Sequence, residues 1–579
     1  MTMLTKWGAA LDRSCPLPEY PRPQLRRESF YNLNGVWDYA VTPSGDEPEV
    51  WDGEIVVPFS PEAPLSGAAR GPAKDEYLHY RRGFTLPEGF QKSRVLLHFG
   101  AVDQIAEVFV NGVSAAKHSG GYWPFSADIT SLLREGENIL RVTVRDNADD
   151  PTFAYGKQRY KRGGMWYTAQ SGIWQTVWLE SVPEVYVKSL RITPEFDEAR
   201  VRIELETALE SSAAITCDVR AADGSFVAGS WAKGGVCVVP LPGFRAWTPD
   251  DPYLYTLDIT CGEDRVESYF AMRKFSYVEL GGHKVFGLNN APLFHNGLLD
   301  QGYYPDGLLT PPSDEAMVND IETMKRCGFN MLRKHIKIEP LRWYYHCDRL
   351  GMIVWQDMVS GGQPYSFLHV SALPTLGKVD LPDQDAKPYG RSGVLSRARF
   401  RREMADTVRL LYNCPCIALW TVFNEGWGQF DALDMANELK KLDPTRFIDH
   451  ASGWQDQGYE EMKSRHIYFR PVKLKNDGRA LALTEYGGYI LAVDGHRWTD
   501  KVFGYRICRD GASLAHDYEK LMLGQVLPHI RKEGLTAAVY TQITDVEEEL
   551  NGLMTYDREV LKIPEETLRE INAALRFDA

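Results

Sequence analysis

Residues 417–429 read Ile417-Ala418-Leu419-Trp420-Thr421-Val422-Phe423-Asn424-Glu425-Gly426-Trp427-Gly428-Gln429. The apolar and β-branched run stops abruptly at Asn424-Glu425. A run that is apolar throughout, without polar alternation, fits a strand buried on both faces of a parallel sheet. The first polar residues beyond such a strand lie at its carboxyl end, where parallel α/β folds gather their chemistry. Glu425 is therefore the first candidate for a catalytic acid.

The surroundings repeat the pattern. From about Phe275 strands alternate with helices, the signature of a parallel sheet. Eight strand candidates centre near Phe294, Met331, Val354, Leu419, Ile448, Ile467, Leu483 and Val539. Ser313 suits an N-cap, Met317, Ile321 and Met324 form a helical stripe, and Gly328 stands where a terminating glycine belongs. Helical patterns also cover Ser396–Tyr412 and Asp517–Lys532. Eight strands in the roughly 300 residues from position 276 fit a (β/α)8 TIM barrel. Val359 to Gly393 is rich in Pro and Gly and too long for an ordinary connection. Following a barrel strand, it reads as an active-site loop.

Ahead of the barrel the grammar is strand and turn. Val108 and Val110 run into Asn111-Gly112, a hairpin signal, and Leu140, Val142 and Val144 alternate with Arg141, Thr143 and Arg145. Val201, Ile203 and Leu205 repeat that alternation further on, with a turn at Asp223-Gly224. The fold class expected is multidomain β plus α/β. A jelly-roll-like β-sandwich would occupy 1–182, an immunoglobulin-like β-sandwich 183–275 and the catalytic barrel 276–579.

Composition narrows the function classes. The 579 residues carry a net charge of −14, so a nucleic-acid duplex would repel the chain, though a small anionic substrate feels only its pocket. Aromatics reach 12%, with 15 Trp and 29 Tyr, which suits stacking on pyranose faces and β-rich cores equally. The nine cysteines are scattered, and Cys414-Pro415-Cys416 lacks the second ligand group that a zinc site needs. The amino terminus has no apolar leader, and no stretch of about 18 uninterrupted apolar residues follows. These features predict reduced thiols, a cytoplasmic location and no membrane partner.

A second carboxylate answers Glu425. Sixty residues on, Leu481-Ala482-Leu483-Thr484 forms a short apolar strand ending in Glu485-Tyr486-Gly487-Gly488. The two glutamates then fall on the fourth and seventh strands. Glycoside hydrolysis needs such a pair, one acid to protonate the leaving oxygen and one carboxylate to attack or to activate water. The competing reading is that each glutamate pairs with an arginine or caps a helix.

TVFNEGWGQ and LTEYGG, in that order, resemble the acid/base and nucleophile motifs of glycoside hydrolase family 2, which includes β-galactosidases and β-glucuronidases. YPRPQL, LNGVW, VPFSPEAPLSG, VFVNG, GGYWPFSADIT and SGIWQTVWLE resemble its amino-terminal sandwich. Trp247-Thr248-Pro249 through Tyr255 resembles the end of its middle domain. The resemblance implies retention, with Glu485 as nucleophile and Glu425 as acid/base. It also implies that Asn424 bonds the sugar 2-OH and that Tyr468, in HIYFRP, contacts the nucleophile. The substrate would be a glycoside or oligosaccharide and no cofactor would be required. Some family members use Mg²⁺ or Na⁺, for which no ligand set can be placed here, and many assemble as homo-oligomers.

The second strand departs from the family pattern. An Arg-x-Ser-His-Tyr-Pro run is common there, its His touching the sugar. This chain has Arg333-Lys334-His335-Ile336-Lys337, with Ile336 opposite that His. His335 would take the role from the next position, against strand alternation. Two readings of the cations stand side by side. Arg333, Lys334 and Lys337 bind a sugar carboxylate, with Lys337 the favoured contact, or Arg333 and Lys334 pair with barrel acids such as Asp357. The Asn-x-Lys pair of typical β-glucuronidases is absent after the eighth strand. The substrate expected is thus a β-hexuronide, glucuronide or galacturonide, with a neutral β-galactoside as alternative and a non-catalytic carbohydrate-binding protein more remote. Asp357 is placed against the sugar's far hydroxyls, Trp427 against the sugar or aglycone or in packing, and Tyr540 and Asp545 along the pocket. Glu547-Glu548-Glu549 reads as a solvated face.

Overall fold

The structure, a computed structural model, describes residues 3–209, 214–375 and 380–578. The first sandwich packs a six-stranded antiparallel sheet on a four-stranded one, the latter formed by Phe30–Asn32, Val177–Val182, Arg94–Phe99 and Phe125–Asp128. Leu140, Val142 and Val144 point into its core, as their alternation requires. Asn111 and Gly112 have φ of 51° and 82°, the paired positive values of a turn that matches strand twist. The second sandwich sets a three-stranded sheet against a four-stranded one, with Val201, Ile203 and Leu205 inside.

The carboxyl-terminal part is an eight-stranded parallel sheet closed almost into a barrel. Its strands are β1 (His295–Asp300), β2 (Met331–Lys334), β3 (Ile353–Asp357), β4 (Ile417–Thr421), β5 (Phe447–Asp449), β6 (Met462–Ile467), β7 (Ala480–Gly487) and β8 (Leu535–Thr541). They pair in the order 5-4-3-2-1-8-7-6. Between β5 and β6 no ladder forms among the described residues, and Ser464 Oγ of β6 donates instead to Asp449 Oδ1 of β5 (3.0 Å). All eight strand expectations fall on or beside an observed strand. The helix Asp314–Arg326 starts at Ser313, whose Oγ accepts from Ala316 N, and Gly328 follows it with φ of 89°. The expected helix at 517–532 begins earlier, at Gly511, because Asp510 and Ser513 form a capping box there.

Trp247, wholly buried, donates from Nε1 to Asp348 O (2.7 Å) and ties the second sandwich to the barrel. The first sandwich instead reaches the barrel mouth. Its segment Ala154–Thr168 lies across the carboxyl ends of the strands, with Tyr155 N and Gly156 N donating to Ser360 O. The glutamates Glu547 to Glu549 are not a solvated face. Glu547 accepts from Thr168 N (2.8 Å), Glu548 from Gly164 N (2.9 Å) and Glu549 from the Tyr167 hydroxyl. Each carboxylate takes a donor that only the sandwich can offer, so both Glu547 and Glu549 are buried. No described helix is long and apolar enough to cross a membrane.

Candidate active site

The run that began the sequence argument leaves β4 at Thr421 and keeps pairing beyond it. Val422 N donates to Asp449 O (2.8 Å), Ser452 N to Phe423 O (2.8 Å) and Glu425 N to Ser452 O (2.9 Å). Glu425 itself sits at φ 54°, a left-handed conformation that costs a residue with a side chain about 1–3 kcal/mol. The indole of Trp454 holds it there, donating to Glu425 O (2.9 Å). Gly428, at φ 69°, allows the loop over it to approach: a side chain there would meet Arg391 Nη2 at 2.6 Å.

That overlying loop is the described part of 359–393; residues 376–379 lie outside the described residues. Asp383 Oδ2 accepts from Gln429 Nε2 (3.0 Å) and from Ala432 N (2.9 Å), capping the helix Ala432–Leu442. Tyr389 O receives Gly428 N (2.8 Å). The loop therefore braces the glycine-rich turn that carries the acid.

Glu485 lies within β7, where the ladders to β6 and β8 both shift register beside it. Such bulges turn a side chain out of strict alternation. Arg333, fully buried on β2, links the centre. Its Nε and Nη2 bond both oxygens of Asp357 at 3.0 Å, Nη1 reaches Glu485 Oε1 and Thr484 O at 3.1 Å, and Nη2 also reaches Asn424 Oδ1 at 2.8 Å. Because a guanidinium only donates, this last bond fixes the Asn424 amide with its NH₂ free for a substrate hydroxyl. Tyr468 completes Glu485, its hydroxyl donating to Oε2 (2.5 Å) while Thr541 Oγ1 lies 3.1 Å away.

Between the two glutamates stands His466, which the sequence reading passed over. Its Nδ1 is 2.8 Å from Glu425 Oε1 and 3.5 Å from Glu485 Oε2. Thr484 Oγ1 faces the Arg465 carbonyl, to which it can only donate, so Ser452 Oγ donates to Thr484 Oγ1 (3.0 Å). His466 Nε2 lies 3.2 Å from Ser452 Oγ and 3.5 Å from Arg333 Nη1, so the ring bridges the two carboxyls and the guanidinium. Burial lowers the His466 pKa to about 4, keeping the ring neutral. Burial pushes the Glu425 carboxyl up to about 7, against the opposing charges of Lys157 and Arg333. Glu485 is also raised, by burial and by Glu425, against His466, Arg333 and Tyr468. Two such close carboxyls titrate as a pair. Arg333 and Tyr468 donate to Glu485 and nothing charged donates to Glu425, so the shared proton resides on Glu425 and the negative charge on Glu485. One ligating atom each of Glu425, His466 and Glu485 lies within 4.8 Å of the others, the only such cluster of three among the described residues. Its geometry could seat a cation, and Arg333 already supplies a positive charge 3.1 Å from Glu485 Oε1.

His335 reaches this centre despite the alternation argument. Strand β2 ends at Lys334, and Ile336 turns the chain at φ 53°, so alternation no longer applies. His335 Nδ1 contacts Asp357 Oδ2 at 2.7 Å, and the ring's Nε2 is left for a ligand. Burial and Lys157 lower its pKa to about 3.

Other expectations are corrected. Lys334 Nζ bonds Asp300 Oδ2 (2.6 Å) and Glu339 Oε1 (2.8 Å). Lys337 Nζ bonds Glu339 Oε1 and Leu309 O, both at 2.8 Å, and Gly302 O at 2.5 Å. Each buried ammonium is thus engaged below the pocket and neither can read a substrate. Asp357 is 1% exposed behind Arg333 and His335, so it is a support and not a sugar contact. Trp427 packs on Trp166 (5.1 Å between centroids) and Tyr155 of the sandwich, which leaves it 5% exposed. Tyr540 faces the outer layer against Tyr486 and Tyr518; its neighbour Thr541 faces inward. Asp545 is buried against Lys562 (2.6 Å).

Comparison with known proteins agrees with this architecture. The sugar binding domain of glycosyl hydrolases family 2 matches residues 64–183, a second family 2 domain matches 185–273, and the family 2 TIM barrel domain matches 311–473. A β-galactosidase of Thermoanaerobacter pseudethanolicus is 25% identical over 63% of this chain and 47% of its own length. The first curated relatives are thus more than twice as long as the stretch they share. A β-glucuronidase of Paenibacillus borealis is 22% identical over 82% of this chain and 85% of its own. The crystal structure of a GH2 β-galacturonidase from Eisenbergiella tayi bound to galacturonate superposes with a TM-score of 0.72 at 19% identity, covering 96% of this chain and all of that one. Matched along three successive domains, the chain belongs to glycoside hydrolase family 2.

Proposed function

We propose that the chain is a retaining exo-β-glycosidase that removes a terminal β-linked sugar, a β-hexuronide first. The observation that carries this is the approach of Glu425 and Glu485, with an oxygen of each inside a 4.8 Å cluster. Retaining enzymes hold their carboxyls about 5–5.5 Å apart, whereas inversion needs about 6.5–9.5 Å to admit water. Glu485 attacks C1, and the electron pair of the breaking C1–O bond leaves with the aglycone oxygen, which takes the Glu425 proton. Asn424 donates to the 2-OH during the attack. Glu425, now ionised, takes a proton from water, whose oxygen displaces Glu485 from C1 and restores both groups. His335 Nε2 accepts from a sugar hydroxyl. The sandwich loop walls one side of the mouth, which suits a chain end.

No step draws on a metal, so chelation is expected to leave the rate intact. The nine unbridged thiols support a reducing, cytoplasmic setting. The similarity to β-glucuronidases and a β-galacturonidase supports the hexuronide. A neutral β-galactoside is the second reading, favoured by the engagement of Lys334 and Lys337 beneath the pocket. Aryl β-galacturonide, β-glucuronide and β-galactoside, followed by proton NMR of the first-formed sugar, test the proposal. The β anomer is expected, and an α anomer would refute retention. Glu485→Gln should lower kcat/KM by about 10³-fold or more, roughly 4 kcal/mol of transition-state stabilisation.

A further inference from the structure

With Lys334 and Lys337 bonded beneath the pocket and Arg333 saturated by Asp357, Asn424 and Glu485, the three cations at the end of β2 are all occupied. A different cation arrives from outside the barrel. The sandwich segment that crosses the mouth carries Lys157, half-buried, directly after Gly156. A side chain at Gly156 would come within 3.0 Å of Ile336 O, which puts Lys157 beside the turn that delivers His335. Its own carbonyl accepts from Tyr167 N (2.9 Å), and its Nζ lies 5.9 Å from the centre of the Tyr167 ring. Tyr167 is anchored in turn by its hydroxyl to Glu549.

Lys157 therefore has a fixed backbone and a side chain aimed across the mouth. Among the described residues it makes no ion pair, yet its charge acts on Glu425, His335 and Glu549 together. None of these neutralises it fully. Glu425 holds a proton, His335 is neutral, and Glu549 is engaged by the Tyr167 hydroxyl. Among the described residues no carboxylate comes within ion-pair distance of this ammonium, which can take one from a ligand.

We propose that Lys157, carried by the amino-terminal sandwich and not by the barrel, recognises the carboxylate of a terminal hexuronide and so sets the sugar this site accepts. The inference rests on the glycosidase reading of Glu425 and Glu485. Lysine suits the task, presenting a compact charge on a flexible stem that can follow either C4 epimer of the ring.

The test compares wild type with Lys157→Gln on 4-nitrophenyl β-galacturonide, β-glucuronide and β-galactoside, and measures binding of free galacturonate by calorimetry. The expected result is a uronide preference in the wild type. In the variant, kcat/KM on the uronide falls about 10- to 100-fold, mainly through KM, as for loss of a hydrogen bond to a charged group. Galacturonate binding should weaken by a similar factor at unchanged Tm. Equal losses on charged and neutral sugars, or undiminished galacturonate binding, would overturn the role of Lys157 while leaving the glycosidase reading standing. A wild type that cleaves galactosides alone would overturn it together with the hexuronide. Cleavage of none of the three would refute the reading of the two glutamates itself.

Discussion

The division of labour between the two glutamates comes from what each one touches. Glu485 takes Arg333 and Tyr468 as donors, whereas Glu425 meets a neutral histidine and is raised by burial. In the proposed mechanism Glu425 works in its protonated form, so its pKa of about 7 sets the alkaline side of the rate profile. kcat/KM should fall as pH rises through about 7, and the fall should disappear in Glu425→Ala. That variant should retain most rate on aryl glycosides with acidic leaving groups and lose about 10²-fold or more on poor ones, the scale of general acid catalysis. A stopped-flow series over leaving-group pKa checks this, and a uniform loss would count against the acid role. Neither glutamate needed the structure to be found, since both follow apolar strands. His466, the last residue but one of β6, opens the same HIYFRP stretch that gave Tyr468 and could have been weighed with it.

At the scale of elements, the strands were readable because parallel strands are apolar throughout and punctuated by glycine, proline and helix caps. Direction at their ends was not. Tyr540 and Thr541 exchange faces with a one-residue change of phase, and the register shifts in the β7–β8 ladder decide that phase. Of the two readings of the β2 cations, pairing with barrel acids holds for Arg333 and Lys334, and Lys337 was misread as a substrate contact because no sequence pattern shows that Glu339 converges beneath it. Ile336 at φ 53° is equally illegible, since a β-branched residue has no preference for that conformation. Lys337 now belongs to a buried ion pair. Lys337→Ala should destabilise the fold by about 3 kcal/mol and reduce activity on charged and neutral sugars alike, as denaturant titration and parallel kinetics would reveal. The 359–393 loop works through Asp383, which caps a helix whose own N-cap, Asp431, makes no side-chain cap bond. Asp383→Ala should cost about 1 kcal/mol in chemical denaturation and lower kcat by loosening the turn that carries Glu425.

The whole molecule is one composite site held by three folds. Its nine cysteines form no bridges, and Cys15 alone is exposed. A thiol reagent should therefore modify one residue in the native protein and nine after unfolding, and more than one reactive native thiol would contradict the buried placements. Lys157 stayed out of view in the sequence because its significance depends on a partner surface more than 170 residues away. Glu547, Glu548 and Glu549 looked solvated for the same reason. By grasping the segment 162–168 from the loop after β8, they make a domain without reactive groups part of the chamber. If Lys157 reads the sugar as proposed, the reaction and much of its preference are carried by separate parts of one chain. On the proposed role of Lys157, exchanging the first 182 residues between relatives would change the sugar preferred and, because the charge of Lys157 also acts on Glu425, move the alkaline limb of the rate profile with it; a genealogy drawn from barrels alone would miss both.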